Sequence, residues 1–152
     1  MFEIKEHKAK LISRYILDSG PYAHDRYKET WKECSLRAWL NHEFYEQSKL
    51  NQYPLIEMER QGCIDHVALC NVKEVKEELD QKFFKADVTP YAKIAHNGAL
   101  DVHHGRAIYW LEDHGMKGTT AAYMGYNGHY YSVGTYNFYN YIGIRPIITL
   151  EI

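Results

Sequence analysis

Apolar and polar positions change their spacing several times along the chain. The opening FEIKEHKAKLISRYIL alternates the two classes on both sides of a charged turn at Glu6 to Lys8, which predicts a β-hairpin. A tight loop, Asp18 to Pro21, ends it. In WKECSLRAWLNHEFYEQ the period lengthens to that of a helix. Ser35 is placed to N-cap, and Leu36, Trp39, Leu40 and Phe44 (or Glu43) share one face, which should dock on a sheet through Leu36, Trp39 and Leu40. Tyr53 to Arg60 reads as a short second helix with Leu55, Ile56 and Met58 partly inward. HVALC, His66 to Cys70, reads as a brief buried strand. In NVKEVKEEL, Asn71 and Glu74 have the spacing of a capping box, and Val72, Val75 and Leu79 form the apolar stripe of a second long helix. Thr89 followed by Pro90 starts a further helix through YAKIAH.

Beyond a polar loop, Asn97 to Arg106, the pattern turns to strands: AIYWL, AAYM, HYYSV and IGIRPIITLEI, divided by glycines. Asn127-Gly128 with alternation on both sides is the strongest short hairpin signal in the sequence. Strands, then helices, then a β-meander make a segregated α+β chain, not an alternating βαβ one.

Composition narrows the class. At 152 residues the chain is expected to be one domain, 1–152, long enough to bury a core without disulfides or a metal. A net charge of −2 with basic and acidic residues mixed argues against a nucleic-acid surface. No apolar run reaches the length of a membrane span and no secretory leader is visible, so the expectation is a cytoplasmic protein with neither membrane nor nucleic acid as partner. Cys34, Cys63 and Cys70 form no CxxC pair and read as buried, reduced thiols.

A family resemblance rests on the order of five motifs: Trp31 with LRAWLN at Leu36 to Asn41 and Phe44, VTPYAK at Val88 to Lys93, YWL with Gly115 at Tyr109 to Gly115, AAYM with Gly128, and GIRPIITL at Gly143 to Leu150. Together they resemble a bacterial domain-of-unknown-function family common in gut Firmicutes. Its members look like the formylglycine-generating-enzyme branch of the C-type-lectin fold. Variable proteins of diversity-generating retroelements share the Gly-hydrophobic-Arg-Pro ending. The resemblance implies a C-type-lectin-like fold, with two main helices on a twisted antiparallel sheet, termini close together, and the C-terminal segment displayed as the usual ligand surface. It departs in two places. Glu112-Asp113-His114 stands where relatives often carry Arg-Ser-Pro. Relatives usually have a strand before the position that corresponds to Met1, and where that strand is missing a sheet edge is open to a second copy.

The segment AAYMGYNGHYYSVGTYNFYNYIGIRPIITLEI concentrates Tyr, Asn and Gly. Strands favour Tyr, so its rings could fill a core or an edge. Binding surfaces favour Tyr too, as a rigid ring with a hydroxyl between adaptable Asn, Ser and Gly. Along a strand neighbours face opposite ways, so Tyr130 and Tyr131 must diverge. The candidate ligand residues are Tyr123, Tyr126, Asn127, His129, Tyr130, Tyr136, Asn137, Tyr139 and Asn140.

Other chemistry is thinner. His96, His103, His104 and His114, with Asp101 and Asp113, form the one candidate metal loop, but HExxH is absent. Nucleophile-elbow, dinucleotide and phosphate-loop signatures are missing. Every cysteine lies at or before Cys70, whereas the formylglycine-generating chemistry implied by the resemblance needs a C-terminal cysteine pair. Arg37 and Arg145 sit in apolar runs and, if buried, each needs an anion or several carbonyls. Trp39 and Trp110 read as core anchors, Trp31 as a cap on that core, and Pro146 as an edge or bulge residue. The expected function is therefore noncatalytic recognition of a protein, peptide or glycan without a cofactor. The alternatives are a small metal-dependent enzyme built on the His96–His114 loop, or a scaffold that dimerises through its N-terminal sheet edge.

Overall fold

In a computed structural model, which describes residues 3–152, the predicted opening hairpin forms from β1 (Glu3–Lys5) and β2 (Lys8–Ile12), with Glu6 and His7 both at positive φ in the turn. Phe2, at the head of that alternation, lies outside the described residues. Two consecutive positive-φ residues give the turn the twist that antiparallel strands need. The last strand, β11 (Pro146–Glu151), lies against β2 from Ile147↔Ile12 to Glu151↔Lys8. On its other side β11 meets β6 (Ala68–Leu69), so the first sheet runs β1-β2-β11-β6.

The second sheet carries the Tyr-rich segment. Strands β7 (Tyr109–His114), β8 (Thr120–Met124) and β9 (Tyr130–Tyr136) form an antiparallel meander. The chain then recrosses: β10 (Gly143–Ile144) pairs parallel with β7 and antiparallel with β3 (Asp18–Ser19), giving the order β3-β10-β7-β8-β9. The meander therefore stops at β9, and the final apolar run is split between two sheets. Gly143 permits the crossing, because a Cβ there would stand 2.6 Å from the Ile16 side chain and 2.9 Å from the Ile108 carbonyl. Pro146 is the first residue of a central strand, where its lack of an N–H is tolerated, and not an edge or bulge residue.

Helices are shorter than their periodicity suggests. The segment around LRAWLN forms α1 (Ser35–Trp39), a π-helical turn (Leu40–Phe44) and α2 (Tyr45–Gln47). Its N-cap is Cys34, whose sulfur accepts from the Arg37 amide, while the Ser35 hydroxyl instead accepts from the His24 amide. Leu36 and Leu40 are buried, but Trp39 remains partly exposed and is not a core anchor. Asn41 explains its place in the motif: its amide donates to the Val67 carbonyl at 2.8 Å and its oxygen accepts from the His66 and Val67 amides, tying the helix to the approach to β6. The predicted helix at Tyr53 to Arg60 does not form: a 3-10 turn (Leu50–Gln52) precedes that span, and the span ends in β4 (Met58–Arg60), which makes a small hairpin with β5 (Cys63–Asp65). Positive φ at Gln61 and Gly62 closes that hairpin.

The Asn71–Glu74 capping box opens α3 (Val72–Glu77), and Thr89 caps α4 (Pro90–Gly98). Inside α4, Ala95 leaves the helical region and His96 and Asn97 adopt left-handed φ. Trp31, Trp110 and Tyr22 are buried together in the core, with Tyr22 5.8 Å from Trp110 and 6.1 Å from Trp31. The indoles are satisfied by Asp65 (2.7 Å from Trp31 Nε1) and the Gly20 carbonyl (2.8 Å from Trp110 Nε1), as buried N–H groups require. Asp65 also takes Arg37 at 2.7 Å, the anion that arginine was expected to need. Arg145 solves the same problem without a carboxylate, donating to the Ser13 and Phe83 carbonyls and the Tyr109 hydroxyl. All three cysteines are free and buried, and burial pushes the Cys34 thiol up to about 12.

Candidate recognition surface

The Asn127-Gly128 turn joins β8 to β9, with Gly128 at φ +85° and the Gly125 amide donating to the His129 carbonyl at 2.7 Å. Up the hairpin, Tyr123 faces Tyr131 and Ala121 faces Thr135. Tyr131 to Thr135 covers four steps on β9 where Tyr123 to Ala121 covers two on β8, so β9 bulges by two residues. Gly134, at φ +83° with no room for a Cβ beside the Ala121 carbonyl, makes the bulge possible.

The divergence of neighbouring rings is as predicted. Met124, paired with Tyr130, is buried in the core, and Tyr130 is half-buried beneath the Lys76 ammonium of α3. Tyr131 turns the other way and stacks on Tyr123, with centroids 4.9 Å apart and planes 19° from parallel. From this pair the rings continue in both directions. Tyr126 shares a shallow hollow of about 230 Å³ with Tyr123 and Tyr131 and stacks on His103 at 4.9 Å. Tyr141 lies by Tyr123 and packs 4.9 Å from Tyr139, which meets Tyr136 and Phe138 edge-on at 5.4 Å. The Arg26 guanidinium lies over Phe138.

These rings are not a core. Tyr126, Tyr131, Tyr136 and Phe138 expose 49, 40, 45 and 38% of their surface, and Met116 (79%) and Val133 (58%) flank Tyr136 around a second hollow of about 240 Å³. Partial burial raises the Tyr123 hydroxyl above its ordinary value, helped by Tyr131, and burial followed by Tyr139 raises Tyr141. Both phenols therefore stay protonated donors at neutral pH.

Among the predicted ligand residues, Tyr123, Tyr126, Tyr136 and Tyr139 belong to this ring surface, and exposed Asn127 lies at its end with a 3.3 Å bond to the Tyr131 hydroxyl. Exposed His129 and half-buried Tyr130 line a separate polar recess with Gln81 and Lys85. Asn140 is exposed but opens onto a different cleft, beside Trp39. Asn137 is a correction: it is fully buried, its amide donates to the Arg26 carbonyl at 3.1 Å, and its backbone bonds Ala23 and Thr119, so it is a structural residue. Tyr131, Phe138 and Tyr141, which lie in the same ring-rich run but are not among the predicted ligand residues, belong to this ring surface as well.

The histidine loop does not converge. His96 pairs with Asp18 at 3.0 Å, His103 with Asp101 at 3.0 Å, and Asp113 accepts from the first amide of α3, so among the described residues no three potential ligands gather. A charged cluster that the sequence did not announce lies elsewhere. Arg60 bridges Glu112 (2.6 Å) and Glu74, and Lys10 ties Glu74 (2.8 Å) to Glu78 (2.7 Å). Glu112, one of the three residues that depart from the resemblance, is thus the partner of a buried arginine.

The molecule is thus an α+β domain that displays a ring-lined surface on the edge half of a five-stranded sheet and holds a buried ionic cluster. It belongs to the DUF6273 family, a domain of unknown function, whose family model matches residues 6–152. No curated protein and no solved structure gives a significant match.

Proposed function

We propose that this is a noncatalytic recognition domain of C-type-lectin-like architecture that holds a protein or peptide on the ring surface from Tyr126 to Phe138. The observation that carries the reading is the exposure of four large rings, Tyr126, Tyr131, Tyr136 and Phe138, each stacked on a neighbouring ring, with exposed Met116 and Val133 beside Tyr136. An apolar surface of this kind on a soluble domain marks an interaction site more often than chance exposure. Aromatic rings with few rotamers to freeze are also the residues that dominate binding energy. Apolar flanks suit a peptide's side chains better than a glycan's hydroxyls. The lectin-like assignment is supported by pairing of the last strand with the N-terminal hairpin through β2, and by a C-terminal segment that switches sheets at Arg145.

The test is a display-library selection of peptides on the wild-type domain, repeated with Tyr126→Ala, Tyr131→Ala and Tyr136→Ala combined. The reading expects peptides whose binding is lost in the triple variant while its melting temperature is kept. Peptides bound equally by both proteins would reject it. The scaffold reading retains one supporting observation: β1 pairs with β2 alone among the described residues, and Ile4 on it is exposed.

A further inference from the structure

A second concave feature lies where β3 meets the break in α4. A cleft of about 300 Å³ has an apolar wall of Trp39, Leu36 and Ile144 and a polar side made by Asp18, His96 and Asn140. Several local departures from regular structure create it. The π-helical turn begins directly after Trp39, and Trp39 is left partly exposed. The left-handed φ of His96 turns the chain out of α4, and its Nε2 lies 3.0 Å from Asp18 Oδ1. That same oxygen accepts from the Ser19 amide at 2.8 Å, which leaves Asp18 Oδ2 for another partner.

An independent observation points to a ligand. Ser19 lines this cleft, is 3% exposed, and its hydroxyl finds no hydrogen-bond partner among the described residues. Buried hydroxyls are nearly always satisfied, so an unpaired one belonging to a residue that lines a cleft marks where an external group can complete the bond once the side chain turns to it.

The chemistry of the lining selects the ligand. Asp18 would repel an anion. A cation would find an acceptor in Asp18 but would also meet the donors of the Asn140 amide and the His96 ring. A hydrocarbon would strand all of these polar groups without partners. Mixed donors and acceptors beside a partly exposed indole fit a neutral ring that carries C–H groups on one side and hydroxyls around its edge. We propose that this cleft binds a single neutral sugar ring, its C–H face on Trp39 and its hydroxyls on Asp18 Oδ2, Asn140 and Ser19 Oγ. Its volume lies at the small end of ligand pockets, roughly 300–1,000 Å³, as one ring requires. The site is separate from the ring surface and does not rest on the peptide reading.

The experiment titrates nitrogen-15-labelled protein with methyl α-mannoside, methyl β-galactoside and N-acetylglucosamine, and with ethylamine and acetate as charged probes, following the Trp39 indole and the Ser19 and His96 amides. A saturable shift of these resonances by at least one sugar is expected, with affinity reduced about tenfold or more, the loss of one good contact, in Trp39→Ala and in Asn140→Ala. Asn140 is exposed and its side chain makes no bond to other described residues, so the second variant keeps the fold even if the first does not. The proposal is overturned if no sugar shifts these resonances, or if ethylamine or acetate shifts them instead. It is equally overturned if sugar binding survives both substitutions, or is lost in Tyr131→Ala instead.

Discussion

Replacing Arg60 by methionine should destabilise the domain more than any surface change, and should do so in a pH-dependent way. The Arg60 side chain is almost fully buried and donates to Glu112 Oε1 at 2.6 Å, to the Leu69 carbonyl at 2.7 Å and to Glu74. Methionine fills much of the volume but removes the charge. Glu74 would keep Lys10 and its capping bond to the Asn71 amide, whereas the Glu112 carboxylate would keep, among the described residues, only the Gln61 amide at 3.1 Å. The loss is therefore mostly that of one stranded buried carboxylate, and removing one partner of a buried pair costs about 3–5 kcal/mol. Burial already raises the Glu112 carboxyl above its ordinary value, against the pull of Arg60. A carboxyl raised in the folded state contributes stability below its unfolded value and loses it as pH rises through the folded value. Glu74 has the opposite sign. Its carboxyl is lowered by Arg60 and Lys10 despite burial, so its contribution is present above the unfolded value and is lost as pH falls. Without Arg60, Glu112 rises further and Glu74 is lowered less, and both changes make the deficit larger at about pH 7 than at about pH 5. Urea unfolding followed by tryptophan fluorescence at both pH values measures it. Adding Glu112→Gln to the variant should recover part of the loss at the higher pH. A deficit below about 1 kcal/mol, or one independent of pH, would refute the account of the cluster.

Other consequences can be checked as directly. Cys34, with its thiol pushed up to about 12, and Cys70, raised further by burial, should resist a disulfide reagent near neutral pH until the protein is unfolded in urea. Gly134→Ala forces a Cβ to within 2.6 Å of the Ala121 carbonyl at positive φ. It should cost more than roughly 1 kcal/mol by thermal melting and disturb the Tyr123–Tyr131 stack, seen as altered near-ultraviolet circular dichroism. Asn71→Ala removes the cap of α3 and should cost about 1 kcal/mol in the same assay. If the β1 edge pairs copies of the domain, light scattering will find a dimer that Ile4→Pro converts to monomer.

The sequence disclosed those features whose causes are local. The opening hairpin, the Asn71–Glu74 capping box, the Thr89-Pro90 helix start and the Asn127-Gly128 turn were legible because neighbouring residues dictate them. Features decided by distant partners were not. Met58 to Arg60 carry a helical spacing yet form a strand, because Gln61 and Gly62 turn the chain and Arg60 is drawn to Glu74 and Glu112. The final apolar run reads as one strand, but the chain changes sheets at Arg145, whose partners lie far away in sequence. At the candidate surface, alternation correctly separated Tyr130 from Tyr131. It could not tell that Asn137 faces inward, because that follows from the Arg26 carbonyl across the molecule. The unpaired hydroxyl of Ser19 has no signature in the sequence at all.

The most direct test of the recognition claim is the affinity of a selected peptide for the wild-type domain and for the Tyr126→Ala, Tyr131→Ala, Tyr136→Ala variant, by calorimetry, with melting temperatures recorded for both. Because these rings are exposed and each stacks on one partly exposed neighbour, His103, Tyr123 and Phe138 in turn, the variant should keep the fold. The account predicts a loss of at least about 2 kcal/mol, the scale of an interface hot spot, with the melting temperature little changed. Equal affinity in the two proteins, or a loss matched by collapse of the fold, would contradict it and return the rings to a structural role.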